Sequence, residues 1–113
     1  MTATFYDEDA FFGAWKEAVK LAGSGYFGVD RTPATARSKW DLEPRVDLIS
    51  NELDVLSSGE SVFLAALVSF YDAESGGEML QLVGARGFSD ISSRLDQPRR
   101  QVLADLLVSY AGW

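Results

Sequence analysis

The sequence of 113 residues contains no histidine and no cysteine. Histidine is the side chain whose unperturbed pKa lies closest to neutral pH, so its absence removes the commonest general base and metal ligand. Without cysteine the chain has no thiolate nucleophile, no zinc–thiolate site and no disulfide. A serine nucleophile would lack its histidine base, and the G-x-S-x-G turn of serine hydrolases does not occur. We therefore expect a protein that is not an enzyme and that needs no cofactor.

Long hydrophobic runs are absent too. No apolar stretch approaches the ~20 residues that a membrane-spanning helix requires. The N-terminal segment carries acidic side chains and no basic flank, unlike a secretory signal peptide. Hydrophobic residues nevertheless make up 47% of the composition, which is typical of a globular domain. The sequence thus predicts one domain over residues 1–113, located in the cytoplasm and away from membranes.

Positive charge is scarce in the middle of the chain. The whole sequence has 17 acidic and 10 basic residues and a net charge of −7. Residues 41–85 contain nine acidic residues and one basic residue, Arg45, so this stretch alone has a net charge of −8. Such a field repels nucleic-acid phosphates and anionic lipid surfaces. It favours a basic protein partner, and we expect no direct binding to nucleic acid or to membranes.

Apolar residues recur mostly at intervals of three and four, the period of an amphipathic helix. This pattern predicts an all-α fold, a compact bundle of four to five helices around a central apolar helix. The predicted helices cover residues 8–22, 42–57, 58–72 and 97–111, with short helices at 78–84 and 89–95. The connection over residues 23–40 is rich in glycine but also contains aromatic side chains, so we expect it to pack on the bundle.

The first helix is expected to begin at Asp7 or Asp9, because an aspartate oxygen can accept hydrogen bonds from the free amides of the first turn. Gly23 is expected to end it. Its apolar face consists of Phe11, Phe12, Trp15, Ala18, Val19, Leu21 and Ala22. At the far end of the following connection, Trp40 is expected to hold the chain against the bundle.

The second helix is expected to start with Asp41 as its cap and Pro44 in its first turn. Its buried face is predicted from the spacing of Val46, Ile49, Leu53 and Leu56. The central helix then follows an S-x-x-E capping box made by Ser57 and Glu60. Residues 62–71 are apolar nearly all round, as expected for a helix covered by neighbours on several sides.

Glycines and capping residues divide the last third of the chain. Gly76 and Gly77 are expected to end the central unit, and Ser89 is expected to cap a short helix. Asp96 and Pro98 are expected to open the last helix. Its buried face is predicted to contain Val102, Leu103, Leu106, Leu107 and Tyr110.

Two motifs resemble ligand-binding loops but lack the necessary context. Residues 23–28 spell G-x-G-x-x-G, yet they follow a predicted helix instead of a strand, so a helix stop and a turn are favoured over a nucleotide site. Asp72, Glu74 and Glu78 lie in a predicted inter-helix loop with some likeness to a calcium loop. Val83 occupies the position where that loop needs a bidentate glutamate, which makes these acids a weak metal site at best.

The remaining basic and aromatic residues allow two interpretations each. Basic side chains gather around the connection and at the start of the last helix, where we expect them to pair with the acidic helices in weak surface contacts. The alternative is an anion-binding patch. Most aromatic residues have core spacing. Phe5, Tyr6, Tyr110 and Trp113 lie near the termini, where they either fold back on the chain or meet another one.

These observations leave three hypotheses for function. The first is a non-enzymatic interaction or regulatory protein, of the inhibitor, immunity or accessory kind, that binds a basic partner. Its predicted contact residues are Asp47, Glu52, Asp54, Asp72, Glu74, Glu78, Tyr110 and Trp113. The second is a small-molecule or divalent-cation binding domain centred on residues 72–78. The third is a structural homodimer built on the last helix and Trp113.

Overall fold

The computed structural model describes residues 8–113, so the suggested cap Asp7 and the aromatic residues Phe5 and Tyr6 lie outside the described residues. The all-α prediction is confirmed, although the count of six α-helices in the described range exceeds the predicted four to five. The helices are α1 Glu8–Ala22, α2 Val46–Glu52, α3 Ser58–Tyr71, α4 Ala73–Leu82, α5 Phe88–Arg94 and α6 Gln97–Ser109. Three 3₁₀ turns lie at Ser24–Tyr26, Lys39–Leu42 and Leu53–Val55.

Helix α3 is the centre of the bundle. All residues from Ser61 to Val68 are buried, as the nearly continuous apolar sequence predicts. The capping box is present, because the Ser57 hydroxyl accepts from the Glu60 amide at 3.2 Å while the Ser57 amide donates to the Glu60 carboxylate at 3.0 Å. Helices α1, α4 and α5 pack around α3 and remove its side chains from water.

Helices α1 and α6 pack on each other along the other side of the core. The buried residues of α1 are Phe11, Trp15, Ala18 and Val19, which belong to the predicted face. Gly23 ends the helix with a φ of +112°, a conformation that favours glycine, and its amide donates to the Val19 carbonyl at 2.9 Å. Asp9 is a residue of α1 itself, so it is not the cap.

The start of α6 agrees with the sequence, but its buried face does not. Asp96 caps the helix by accepting from the Arg99 amide at 3.1 Å, with proline in the first turn. Val102 and Leu106 are buried, whereas Leu107 is 56% exposed, contrary to the prediction. Tyr110 is also predicted on the buried face, but it lies just beyond the end of the helix and is 38% exposed. The reason is that α6 covers the core with one narrow stripe, and the next apolar residues face a neighbouring groove.

The second helix is much shorter than predicted. It spans Val46–Glu52 and is followed by a 3₁₀ turn, instead of running from 42 to 57. Pro44 is not in its first turn, because it forms an isolated antiparallel bridge with Phe27. The Asp41 carboxylate accepts from the Arg37 amide at 2.8 Å and therefore caps a turn of the connection, not α2.

Helix α4 corrects the prediction of a loop at residues 72–78 and of a helix at 78–84. It spans Ala73–Leu82 because Asp72 caps it, and Gly76 and Gly77 lie inside it instead of ending the preceding helix. At Gly76 an added Cβ would lie 2.3 Å from the Ser69 Cα. Glycine is therefore needed here for the close approach of α4 to α3, not for a chain break.

Helix α5 begins at Phe88, with Gly87 as its cap, so Ser89 is not the cap that the sequence suggests. The Asp90 carboxylate accepts from the Arg86 amide at 3.1 Å and stabilises the turn before the helix. With seven residues and no buried side chain of its own, α5 is a short cover over the end of α3.

The connection packs on the bundle, but Trp40 is not the residue that holds its far end. Trp40 is 54% exposed, whereas its neighbour Lys39 is buried. The Lys39 ammonium donates to the Glu8 carboxylate at 3.1 Å and to the Gly112 carbonyl at 2.7 Å. Trp113 packs edge-on against the ring of Trp15, with centroids 4.8 Å apart, so this terminal aromatic residue folds back on its own chain.

Candidate functional site

The predicted acidic contact residues are spread over several elements. Asp47 and Glu52 lie on α2 and Asp54 on the next 3₁₀ turn, while Glu74 and Glu78 lie on α4. Glu52 is half-buried and accepts from the Tyr26 hydroxyl at 2.8 Å, which raises the pKa of that phenol. The others are exposed. The structure therefore does not bring these carboxylates together in one site.

Asp72 has a structural role, because its carboxylate caps the start of α4. One carboxylate oxygen accepts from the Glu74 amide at 3.1 Å and the Ser75 amide at 3.3 Å, and the other accepts from the Ser75 hydroxyl at 2.9 Å. Over residues 8–113 no group of three or more acidic side chains is placed to hold a metal ion. Residues 73–82 are helical, so the calcium-loop geometry that the sequence suggests is replaced by a helix cap.

In the described part of the chain the basic residues form no ion pair with the acids of residues 41–78, contrary to expectation. The ion pairs in the described part of the chain are Lys20–Glu17, Lys39–Glu8 and Arg99–Asp96, and none includes an acid from residues 41–78. Most arginines donate to backbone carbonyls instead, as Arg45 does to Gly25 at 3.2 Å. Carbonyl groups at turns and helix ends lie close enough to accept hydrogen bonds from these arginines. The carboxylates of residues 41–78 are therefore left without an ion-pair partner in the described residues.

The G-x-G-x-x-G segment is a turn, as favoured from its context. Its first half forms the 3₁₀ turn Ser24–Tyr26, and Phe27 is buried and bridges to Pro44. Gly28 has a φ of +65°, and an added Cβ there would lie 2.4 Å from the Asp41 carbonyl oxygen. This glycine allows two segments of the connection to meet, and no helix follows it that could hold a phosphate.

A polar depression of about 570 Å³ lies beside this turn. Trp40 and Tyr71 form part of its wall, and Glu43 lies next to the Tyr71 hydroxyl. The hydrogen bond with the Glu43 carboxylate raises the pKa of Tyr71, because the phenolate would be placed against a negative charge. This stabilises the neutral form of the Tyr71 phenol.

An apolar groove with a volume of about 260 Å³ lies between α3, α4, α5 and α6. We call it the α3–α6 groove. Its lining is mostly aliphatic and aromatic: Ala66, Ser69, Phe70, Leu80, Phe88, Ile91, Ser92, Leu95, Arg100, Leu103, Ala104 and Leu107. Phe88 at its rim is 75% exposed. A neighbouring depression that shares Leu80 extends the groove towards Arg86.

The groove exists because α5 is too short to cover it. The seven residues of α5 make two turns, and the chain then reverses at Leu95 and Asp96 into α6. Ser69 and Phe70 of α3 are therefore only half-buried, and Ala104 and Leu107 of α6 remain exposed. A sequence signal for this surface is the width of the apolar pattern on α6, where Leu103 and Leu107 add a second stripe beside Val102 and Leu106.

Few polar groups interrupt the groove. The Ser69 hydroxyl donates to the Ala66 carbonyl at 2.5 Å and is therefore satisfied within α3. The Arg100 Nε donates to the Leu95 carbonyl at 3.0 Å, which fixes the guanidinium at the end of α5. Arg100 is the one charged residue in the lining. This arrangement offers apolar contact with a single directional charge, which suits the binding of an apolar ligand.

Comparisons with family models, with curated proteins and with solved structures find no match to this chain. None of the helices in residues 8–113 is long and apolar enough to cross a membrane. The functional interpretation therefore depends on the α3–α6 groove and on the negative charge of residues 41–85. Sequence reasoning missed the groove because its lining comes from four helices whose packing the sequence does not specify.

Proposed function

We propose that this protein is a non-enzymatic interaction or regulatory protein that binds an apolar segment of a basic partner protein in the α3–α6 groove. The observation that carries the proposal is the groove itself, an apolar concavity of about 260 Å³ with exposed Phe88 and Leu107 at its rim. Contiguous apolar surface of this kind on a soluble domain is typical of an interaction site.

The chemistry of the rim supports a protein partner. Aromatic side chains dominate binding energy at protein interfaces, and Phe88 has three quarters of its surface free to be buried. Leu107 and Val108 on α6 are also exposed, which extends the apolar surface beyond the groove. A partner segment that inserts one or two aliphatic side chains and covers this rim would bury all of these residues at once.

Charge supports a basic partner. Residues 41–85 have a net charge of −8, and the described acids from residues 41–78 form no ion pair within residues 8–113. An unneutralised field of this sign attracts a positively charged protein over about a Debye length and raises its association rate. The acidic residues therefore attract and orient the partner as it approaches, while the groove makes the direct contact with it.

Site-specific photo-crosslinking in cells that express the protein tests this proposal. A benzophenone side chain is placed at Ala104, which lines the groove, or at Gln101, an exposed residue of the same helix outside the lining. We expect a basic protein to be captured from position 104 and not from 101. The captured protein, once purified, should lose at least about tenfold in affinity for the Phe88→Gln variant.

A tryptophan substitution at each of these two positions provides a matched pair of variants. Ala104→Trp fills the groove and should abolish binding of the purified partner, whereas Gln101→Trp adds the same bulk elsewhere on α6 and should not. Raising the salt concentration should slow association without abolishing it. Equal affinity of the two tryptophan variants would refute groove binding. Crosslinks between two copies of the chain would assign this surface to a homodimer instead.

A further inference from the structure

The α3–α6 groove has one charged residue in its lining, and its position defines the chemistry of the docked segment. We infer that the partner segment carries a carboxylate beside its apolar anchor, and that this carboxylate pairs with Arg100. The inference rests on the proposed function, since it specifies what the groove selects. The carboxylate is a feature of the docked segment alone. The acidic field of residues 41–85, in contrast, favours a partner whose overall charge is positive.

The Arg100 guanidinium is held by a hydrogen bond at Nε, and its other N–H groups remain available to a ligand. Its Nε donates to the Leu95 carbonyl at 3.0 Å, and its backbone amide donates to the Asp96 carbonyl at 3.0 Å. Its two terminal nitrogens make no hydrogen bond and no ion pair within residues 8–113. A guanidinium fixed through Nε presents the remaining N–H groups in one plane, a geometry that matches the two oxygens of a carboxylate.

The acids of α5 and α6, with the cap residue Asp96, already have other partners. The Asp96 carboxylate pairs with Arg99 at 2.6 Å, and the Asp105 carboxylate accepts from the Gln101 amide at 3.0 Å. On the facing helix, the Asp90 carboxylate accepts from the Arg86 amide. No acidic residue lines the groove. The charge of Arg100 therefore lies against an apolar surface without internal compensation, which favours a carboxylate from the ligand.

The contribution of this contact is selectivity more than affinity. Arg100 is exposed, so its pairing with a carboxylate is screened by water and should change affinity by about two- to fivefold. The apolar anchors provide most of the binding. An amine at the same place of the partner would meet the arginine as a like charge and would bind more weakly.

A displayed library of helical peptides tests the inference without a known partner. The library holds 16-residue amphipathic helices with a fixed leucine pair, and the flanking positions vary among Glu, Gln, Lys and Ala. It is selected on the wild type, Arg100→Glu, Arg100→Lys and Ala104→Trp. Arg31→Glu serves as a matched charge reversal, because Arg31 lies in the connection and outside the groove. Thermal unfolding first establishes that each variant is folded.

We expect the wild type, Arg100→Lys and Arg31→Glu to enrich glutamate beside the leucine pair. Arg100→Glu should enrich lysine at that position, and Ala104→Trp should enrich no peptide. If the wild type and Arg100→Glu select the same charge, the inference fails while groove docking stands. If Ala104→Trp selects the same peptides as the wild type, the proposed function fails. No enrichment on the wild type would count against both.

Discussion

The ammonium nitrogen of Lys39 lies 2.7 Å from the carbonyl oxygen of Gly112, although 73 residues separate them in the chain. Lys39 is only 4% exposed, and its ammonium also pairs with the Glu8 carboxylate at 3.1 Å. The rings of Phe11, Trp40 and Trp113 surround it, with centroids 5.4 to 5.6 Å away. One buried cation thus joins the start of α1, the end of the connection and the C-terminal segment.

Replacing Lys39 by methionine should loosen the C-terminal segment with little change in global stability. Methionine keeps the apolar stem among the rings but leaves the Gly112 carbonyl without its donor. The loss of the pair is offset because the cost of burying the ammonium disappears too, so we expect the free energy of unfolding to change by less than about 1 kcal/mol. Faster hydrogen exchange of the Trp113 indole N–H would report the release.

Lys39→Ala separates packing from charge at the same position. Alanine removes the stem as well and leaves a cavity among the rings, so it should destabilise the protein by about 1–3 kcal/mol more than methionine does. Urea unfolding measures both variants. Full protection of the Trp113 indole in the methionine variant would mean that ring contacts alone hold the segment.

Gly76→Ala and Gly77→Ala should have opposite effects on stability, although the two glycines are neighbours on α4. At Gly76 the new Cβ would lie 2.3 Å from the backbone of Ser69, so the two helices must separate, at a cost of about 2 kcal/mol or more. At Gly77 no atom lies within 4 Å of the new Cβ, and alanine should stabilise the helix by about 0.5–1 kcal/mol. Chemical denaturation of the two variants checks the contrast.

Stability should fall in acid partly through the caps of α3 and α4. Hydrogen bonds from Ser75 lower the pKa of Asp72 below its ordinary value of 3.8, and hydrogen bonds with Ser57 lower the pKa of Glu60 below 4.5. The unfolded chain therefore binds these protons more readily than the folded one. The stabilisation is complete above the ordinary values and is lost as the pH falls through the lowered ones.

Asp72→Asn isolates one of these two contributions. Asparagine caps a helix about as well as aspartate but does not titrate. The variant should keep its stability at neutral pH and lose less of it than the wild type between about pH 4 and pH 2. Asp72→Ala, as the control, should be less stable throughout. Urea midpoints measured over this pH range would contradict the assignment if asparagine and wild type fell in parallel.

Leu106→Ala and Leu107→Ala test which face of α6 belongs to the core. Leu106 is fully buried and its truncation should cost about 2–5 kcal/mol. Leu107 is 56% exposed at the groove rim, so its truncation should change stability by less than about 1 kcal/mol. Equal losses in urea unfolding would show that the groove is closed in solution and would count against its role in docking.

Two of the helix caps in this protein could be predicted from the sequence, whereas the caps predicted at Asp41 and Ser89 are wrong. Ser57 with Glu60 and Asp96 before the last helix act through residues three positions away, so their geometry is contained in a short segment. Gly76 shows the limit of such reasoning. In the sequence, two adjacent glycines favour a break in the chain. Only the close approach of α3 makes glycine necessary at position 76, inside a helix.

The sequence by itself determined the all-α class, the apolar central helix and the concentration of negative charge in residues 41–85, because these follow from local periodicity and composition. Only the tertiary structure decided that Lys39 is buried while Leu107 is exposed, and that four helices leave an apolar groove around Arg100. Those outcomes depend on contacts between residues distant in the chain. Burial is a property of how the helices pack together, and each helix sequence specifies only its own faces.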